Sequence, residues 1–260
     1  MTYRTVDDQE LTLHLFRTKD RDPEEDRPGI MLIHGGGWKA GSPDLFFPHA
    51  RYFARRGMVA MVPQYRLVDE QKDIAVSDAA LDCRYAFLFA VDHAGELGLL
   101  PEKIAVAGDS AGGHLAAVVA LMEEIEGERP QPEVNPGALI LFGAITNTAE
   151  GKWEIPEGES LSPVHNVGEK APPTLVIHGE EDPVVSVGQA RAFAVTMEDK
   201  KNHCALMLMP ETKHAFVLPG YGKPEEIKEA MARADNFLAE TGYLEGDPDE
   251  SALDELANTE

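Results

Sequence analysis

The hexapeptide Gly108-Asp109-Ser110-Ala111-Gly112-Gly113 constrains this chain more than any other feature. An apolar run, Ile104–Ala107, leads into it, and an alanine-rich helical stretch, His114–Met122, leads away. A serine flanked two residues on each side by glycine, between a strand and a helix, has the pattern of a nucleophile elbow. The turn is so tight that a Cβ at either glycine collides with neighbouring backbone. It lifts the Ser110 hydroxyl out of the sheet and sets the start of a helix beneath it. A bare G-x-S-x-G is common by chance; one between a strand and a helix is not.

Around that turn, short apolar runs alternate with longer helical patterns, the signature of a mostly parallel sheet covered on both faces. The runs predict eight strands: Tyr3–Val6, Leu11–Phe16, Gly29–Ile33, Met58–Pro63, Ile104–Ala107, Ala138–Phe142, Thr174–His178 and Ala205–Met209. The first two alternate and read as an antiparallel edge pair. The later ones are continuous Val/Ile/Leu/Ala runs, suited to burial on both faces. Helical patterns cover Leu45–Arg56, Ile74–Leu97, Ala111–Glu126, Gly188–Asp199 and Glu225–Glu240. Asp20–Pro28 reads as a charged hairpin loop, Gly127–Pro136 as a Pro-rich connection, and Gly143–Pro173 as the longest irregular stretch. With 260 residues, 43% of them hydrophobic, the chain fits one α/β domain over 1–244. The remainder, 245–260, carries seven acids and no base and is expected to be a mobile acidic tail.

The formal charge of −23 repels nucleic acid and anionic membrane surfaces, so neither is expected as a partner. It suits a solvated acidic surface; life in high salt and a preference for neutral or cationic substrates are the functional readings of the same number. No run approaches the ~20 apolar residues of a membrane span. Met1–Glu10 is polar and acidic, without the pattern of a signal peptide, which fits a cytoplasmic enzyme and also a mature secreted or periplasmic form. Cys83 and Cys204 stand in unrelated elements and are expected to be reduced thiols. No clustered ligand spacing implies a metal, and no cofactor is implied. The residues set no oligomeric state.

Ser110 needs an adjacent base, because its hydroxyl is protonated at neutral pH. After the strand Thr174–His178 comes Gly179-Glu180-Glu181-Asp182-Pro183, which places Asp182 just beyond a strand end. After Ala205–Met209 comes a loop that contains His214, with Phe216 and Val217 to pack it. In an open parallel sheet the carboxyl ends of the strands face one crevice, so Ser110, Asp182 and His214 are expected to converge. Of nine histidines, His14, His49, His93 and His203 fall on strands, helices or polar surface. His34 and His178 precede glycine at strand ends, and His165 lies in the irregular stretch; His214 is favoured as the base. Glu180 and Glu181 compete with Asp182, which the stiff turn at Pro183 favours. His34-Gly35-Gly36-Gly37-Trp38, directly after a buried strand, offers free backbone N–H groups. Those of Gly36 and Gly37, with that of Ala111, form a candidate oxyanion hole. Trp38 and Trp153 are candidate walls of the substrate pocket, although Trp38 reads equally as a packed loop anchor. Asp109 is expected to be structural, turned from the Ser110 hydroxyl and bonded to local backbone.

Taken together, His34–Trp38, Gly108–Gly113, His178-Gly179 with Asp182, and His214-Ala215-Phe216 resemble the esterase/lipase branch of the α/β-hydrolase superfamily. The likeness covers nearly the whole chain. That branch includes hormone-sensitive-lipase-like esterases, acetyl xylan esterases and feruloyl esterases. Phe46–Met58, Gln64–Leu67 and Leu161–His165 resemble the acetyl xylan esterase side, whereas Asp109 resembles the hormone-sensitive-lipase-like elbow. The resemblance implies an α/β-hydrolase fold with a mostly parallel eight-stranded sheet, helices on both faces and no large cap domain. It also implies a serine carboxylic-ester hydrolase working through a covalent acyl-enzyme. The expected substrates are small-molecule or oligosaccharide esters, in particular short-acyl or feruloyl esters of carbohydrates. Activity is expected to fall as His214 protonates, near or below pH ~6.5 unless its pKa is shifted. The alternatives are a prolyl-oligopeptidase-like serine peptidase and a non-catalytic hydrolase-fold ligand sensor.

Overall fold

A computed structural model describes residues 1–18, 25–122, 125 and 134–259. Strands β1 (Thr2–Val6), β2 (Gln9–Phe16), β3 (Arg27–Ile33), β4 (Val59–Pro63), β5 (Leu99–Asp109), β6 (Ala138–Phe142), β7 (Thr174–Gly179) and β8 (Cys204–Met209) form one sheet. Its order is β1-β2-β4-β3-β5-β6-β7-β8. β2 pairs antiparallel with β1 and β4, and every other pairing is parallel.

Two-sided burial explains the continuous apolar runs. In β3, Met31 and Ile33 enter one core while Ile30 and Leu32 enter the other, because successive side chains point to opposite faces. Helices α2 (Val76–Asp92), α3 (Ala94–Leu97), α4 (Ala111–Leu121) and α5 (Val187–Asp199) bury apolar residues in the first core. Helices α1 (Phe47–Arg55), α6 (Pro224–Glu240) and α7 (Glu250–Ala257) close the second. Apart from His114, α4 is apolar all round, and every residue from Ala111 to Val119 is buried, as a helix lodged between sheet and neighbours must be. Among the described residues, no helix is long and apolar enough to cross a membrane.

Three elements differ from the sequence expectation. The 245–260 segment is not a mobile tail over its length: Glu250–Ala257 is α7, with Ala252, Leu253, Leu256 and Ala257 buried. Asp249 caps it by accepting the N–H of Ala252 at 3.0 Å. Its acids find bases outside the segment, Arg55 with Asp249 and Glu255, and Lys228 with Asp254. The long Ile74–Leu97 pattern divides at His93, which leaves helical geometry at φ −106° and ψ 19° and whose ring bonds the Phe89 carbonyl at 2.9 Å. The helix expected to reach Glu126 ends at Leu121. Glu126, most of the Gly127–Pro136 connection and residues 20–24 of the expected hairpin loop lie outside the described residues.

Buried charge ties the second layer together. Asp235 of α6, fully buried, accepts from the Tyr52 hydroxyl at 2.6 Å and from Arg56 Nε at 2.7 Å and Nη2 at 3.1 Å. Removing Asp235 leaves the buried Tyr52 hydroxyl without its acceptor and the largely buried Arg56 without its counter-charge. Asp235→Ala is therefore expected to lower unfolding free energy by about 3 kcal/mol or more, read by urea denaturation. A loss below ~1 kcal/mol, the scale of an exposed pair, contradicts that account.

Candidate active site

The elbow forms where β5 meets α4. Ser110 is the N-cap of α4 at φ 54° and ψ −120°, a backbone region that costs on the order of 1–3 kcal/mol outside glycine. Its neighbours show why the turn is built from glycine. A Cβ on Gly112 would lie 2.1 Å from the Ile33 carbonyl oxygen and 2.3 Å from that of His34. A Cβ on Gly108 would lie 2.3 Å from the Gly112 carbonyl oxygen. Both spaces belong to backbone, which cannot yield as a side chain does. The Ser110 N–H is tied to the Phe142 carbonyl at 2.9 Å, which anchors the turn to the end of β6.

From three strand ends, Ser110, His214 and Asp182 meet in one hydrogen-bonded row. The Ser110 hydroxyl donates to His214 Nε2 at 2.9 Å, and His214 Nδ1–H donates to Asp182 Oδ2 at 2.6 Å. The other carboxylate oxygen, Oδ1, accepts the N–H groups of Val184 at 2.8 Å and Val185 at 2.9 Å. Burial works against the charge on Asp182, but the bonds from His214, Val185 and Val184 hold its pKa below the usual carboxylate value. Burial likewise opposes an imidazolium at His214. Its bond to Asp182, with the charges of Asp109 and Asp182, outweighs that cost and raises its pKa above 6.5, against the pull of Lys152. The expected loss of the neutral base near or below pH ~6.5 is thereby moved upward.

Two further titratable groups lie in this region. His178 is fully buried, donates from Nε2 to the Val185 carbonyl at 3.0 Å and approaches Asp182 Oδ2 at 3.5 Å. Burial lowers its pKa and keeps it neutral. Asp109 departs from its expected role: its side chain is buried, and Oδ1 has no hydrogen-bond partner among the described residues. Burial pushes its pKa up to about 7, opposed by His214 and reinforced by Asp182.

The glycine loop lies against the elbow, since a Cβ on Gly35 would stand 3.1 Å from Ser110 Cβ. Gly36 and Gly37 take φ of 118° and 60°, and Trp38 follows at 61°, a left-handed position unusual for tryptophan. Among the described residues, the N–H groups of Gly36, Gly37 and Ala111 donate no backbone hydrogen bond within the loops, and that of Ala111 opens a helix, where no intrahelical acceptor exists. An open cavity of about 570 Å³ begins at Gly37 and runs between Trp38, Val68, Ile74, Trp153 and Ile155. Trp153 also borders a second cavity of about 620 Å³ that reaches Asp182 and Pro183. Trp153 is thus placed as a pocket wall, whereas Trp38, 5% exposed, is both wall and loop anchor. Sequence reasoning passed over His114, which bonds the Trp38 indole. Its signal was a lone polar ring in an alanine-rich helix, four residues after Ser110.

A family model described as BD-FAE matches residues 17–144, and one described as the prolyl oligopeptidase family matches residues 144–242. The chain is similar to esterase 2 of Thermogutta terrifontis, solved with propionate bound, at TM-score 0.88 and 33% identity over 95% of each chain. The same esterase has been solved phosphorylated by paraoxon. LipM of Mycobacterium tuberculosis, a probable carboxylic ester hydrolase, is 27% identical over 88% of this chain, which spans only 58% of that relative's length. The ethyl acetate hydrolase of Pseudomonas putida is 26% identical over 85% of this chain and 76% of its own.

The charges around His214 set a measurable titration. NMR of the imidazole is expected to give a His214 midpoint above 6.5, with the neutral ring predominant only above that midpoint. Asp109→Asn removes an anion that favours the imidazolium, so the midpoint moves down. A midpoint unmoved by Asp109→Asn contradicts the coupling.

Proposed function

Because the chain belongs to the esterase/lipase branch of the α/β-hydrolase superfamily, we propose that it hydrolyses carboxylic esters, with Ser110 as nucleophile, His214 as base and Asp182 as its orienting acid. The observation that carries this reading is the hydrogen-bonded row Ser110–His214–Asp182, set against a loop with unengaged N–H groups. In the proposed cycle His214 Nε2 takes the Ser110 proton as Oγ bonds to the ester carbonyl carbon. The N–H groups of Gly36, Gly37 and Ala111 hold the oxyanion. As the carbon–alkoxy bond breaks, His214 returns the proton to the leaving alcohol. Water, deprotonated by His214, then attacks the acyl carbon, and Oγ leaves with the proton. Asp182 holds the imidazole so that Nε2 faces Ser110, and it stabilises the imidazolium.

The substrate reading is short-acyl esters with a bulkier alcohol. Support comes from the open apolar cavity beside Gly37 and from two similar proteins, the esterase solved with propionate bound and the ethyl acetate hydrolase. Aromatic walls with a rim of Lys39, Glu70, Lys152 and Glu154 suit a carbohydrate ring, stacked on one face and hydrogen-bonded at its edge. Acetylated or feruloylated glycans are therefore the finer proposal, and the BD-FAE match over residues 17–144 favours it. The prolyl oligopeptidase match over residues 144–242 keeps a peptidase as the second reading.

The test is turnover of p-nitrophenyl acetate, butyrate and octanoate, acetylated xylan, methyl ferulate and a prolyl p-nitroanilide. Turnover of the short esters that disappears in Ser110→Ala, with one paraoxon equivalent bound at Ser110, is expected. Asp182→Asn should lower kcat on the order of 10⁴-fold, as loss of the orienting acid does elsewhere. Anilide cleavage without ester turnover moves the assignment to the peptidase, and no turnover at all moves it to the ligand sensor.

A further inference from the structure

His114 sits in α4 four residues after Ser110, and its N–H donates to the Ser110 carbonyl at 3.1 Å. Its ring is fully buried. Nε2 lies 2.8 Å from the Leu161 carbonyl, which can only accept, so Nε2 carries the hydrogen. Nδ1 is left as an acceptor, and the Trp38 indole N–H, a donor only, meets it at 3.3 Å. Burial lowers the His114 pKa to about 4, which keeps Nδ1 free to accept at neutral pH.

Trp38 needs such a hold. It occupies a left-handed backbone position at the end of the glycine loop, and strain of that kind persists only where the surroundings over-determine it. The Trp38 carbonyl accepts the Val68 N–H at 2.9 Å, and its ring meets Trp153 edge-on at 5.8 Å. Trp153 donates from Nε1 to the Val184 carbonyl at 3.1 Å, and the N–H of Val184 is bound by Asp182. One run of contacts thus joins the nucleophile helix, the glycine loop and the turn that carries Asp182.

We propose that His114 is a positioning residue: it holds Trp38, and through Trp38 the Gly36–Gly37 loop, in register with Ser110. The proposal rests on the reading of that loop as the oxyanion site. An oxyanion contact strengthens in the transition state, so a misplaced loop lowers kcat and leaves KM nearly unchanged.

His114→Phe keeps a ring and removes the acceptor, whereas His114→Asn restores an acceptor near the Nδ1 position without the ring. With p-nitrophenyl acetate, kcat should fall ~10-fold or more in His114→Phe with KM within about twofold, and His114→Asn should recover most of it. The chain's two tryptophans are Trp38 and Trp153, so selectively excited tryptophan emission and the tryptophan fine structure of the near-ultraviolet circular dichroism report on this pair. Both signals should change in His114→Phe. Unchanged kcat, unchanged tryptophan spectra, or His114→Asn as impaired as His114→Phe overturns the proposal. A wild-type protein with no ester turnover counts instead against the function, because the spectra still report the anchor. Where His114→Phe does not fold, Trp38→Phe removes the donor from the loop side and carries the same expected fall in kcat.

Discussion

The close approach of α4 to the end of β3 governs the rest of this structure. With the Gly112 α-carbon against the carbonyls of Ile33 and His34, the helix after Ser110 packs directly on backbone. That contact fixes two things together. It sets where the Ser110 hydroxyl emerges, and it sets where the chain leaving β3 must turn. The Gly35–Trp38 loop is therefore a consequence of the elbow rather than an independent element. The register of the central strands carries the same constraint outward: Ile33 stands beside Gly108, Asp109 beside Phe142 and Gly179 beside Met209. All the ends that bear polar side chains finish at one edge, as the topology of an open parallel sheet requires.

The parts legible in the sequence are those dictated by local sterics and strand periodicity. Gly108, Gly112 and the apolar run before them announce a turn that few other residues can make. The eight strand segments were legible because two-sided burial leaves unbroken apolar runs. Asp182 and His214 were legible by their position after strand ends. What stayed hidden depends on residues far apart in sequence. α7 was masked by its acids, because the bases that pair with them, Arg55 and Lys228, lie on α1 and α6. His114 looked like one more buried histidine until Trp38 and Leu161 appeared on its two nitrogens. Asp109 has its polarity unmet by local backbone, which no pattern of neighbours foretells.

Electrostatically, the proposed site joins two opposed demands. A base must stay neutral to accept a proton, yet its charged form must be stabilised once it has done so. Asp182 serves the second demand at close range, through a 2.6 Å bond and two backbone N–H groups that keep it ionised. Asp109 adds a second anion whose own burial places it near neutrality. A carboxylate that bonded local backbone would be held ionised. One left without that support responds to the charge on His214 and returns part of its field as a proton when pH falls. Each of the two groups therefore biases the other's titration, Asp109 favouring the imidazolium and His214 favouring the carboxylate.

In the proposed reading, chemistry and selectivity are drawn from different parts of the chain. The polar row and the glycine loop sit on strand ends and a buried helix, held by backbone contacts that allow little change. The Gly143–Pro173 stretch is built instead from three short 3-10 turns and supplies Trp153, the divider between the two cavities. It is not free to drift: Glu157 accepts the Ser77 N–H at 3.0 Å, and Thr146 and Asn147 bond the Gln189 side chain. An irregular segment pinned near its start and its middle can change its lining residues while its path stays fixed. The Trp38–Trp153 contact is where these two regimes meet. A substitution at Trp153 reshapes both cavities and, through Val184, also reaches the turn that orients Asp182. In the proposed reading, the glycine loop and the cavity lining meet at this one pair of rings.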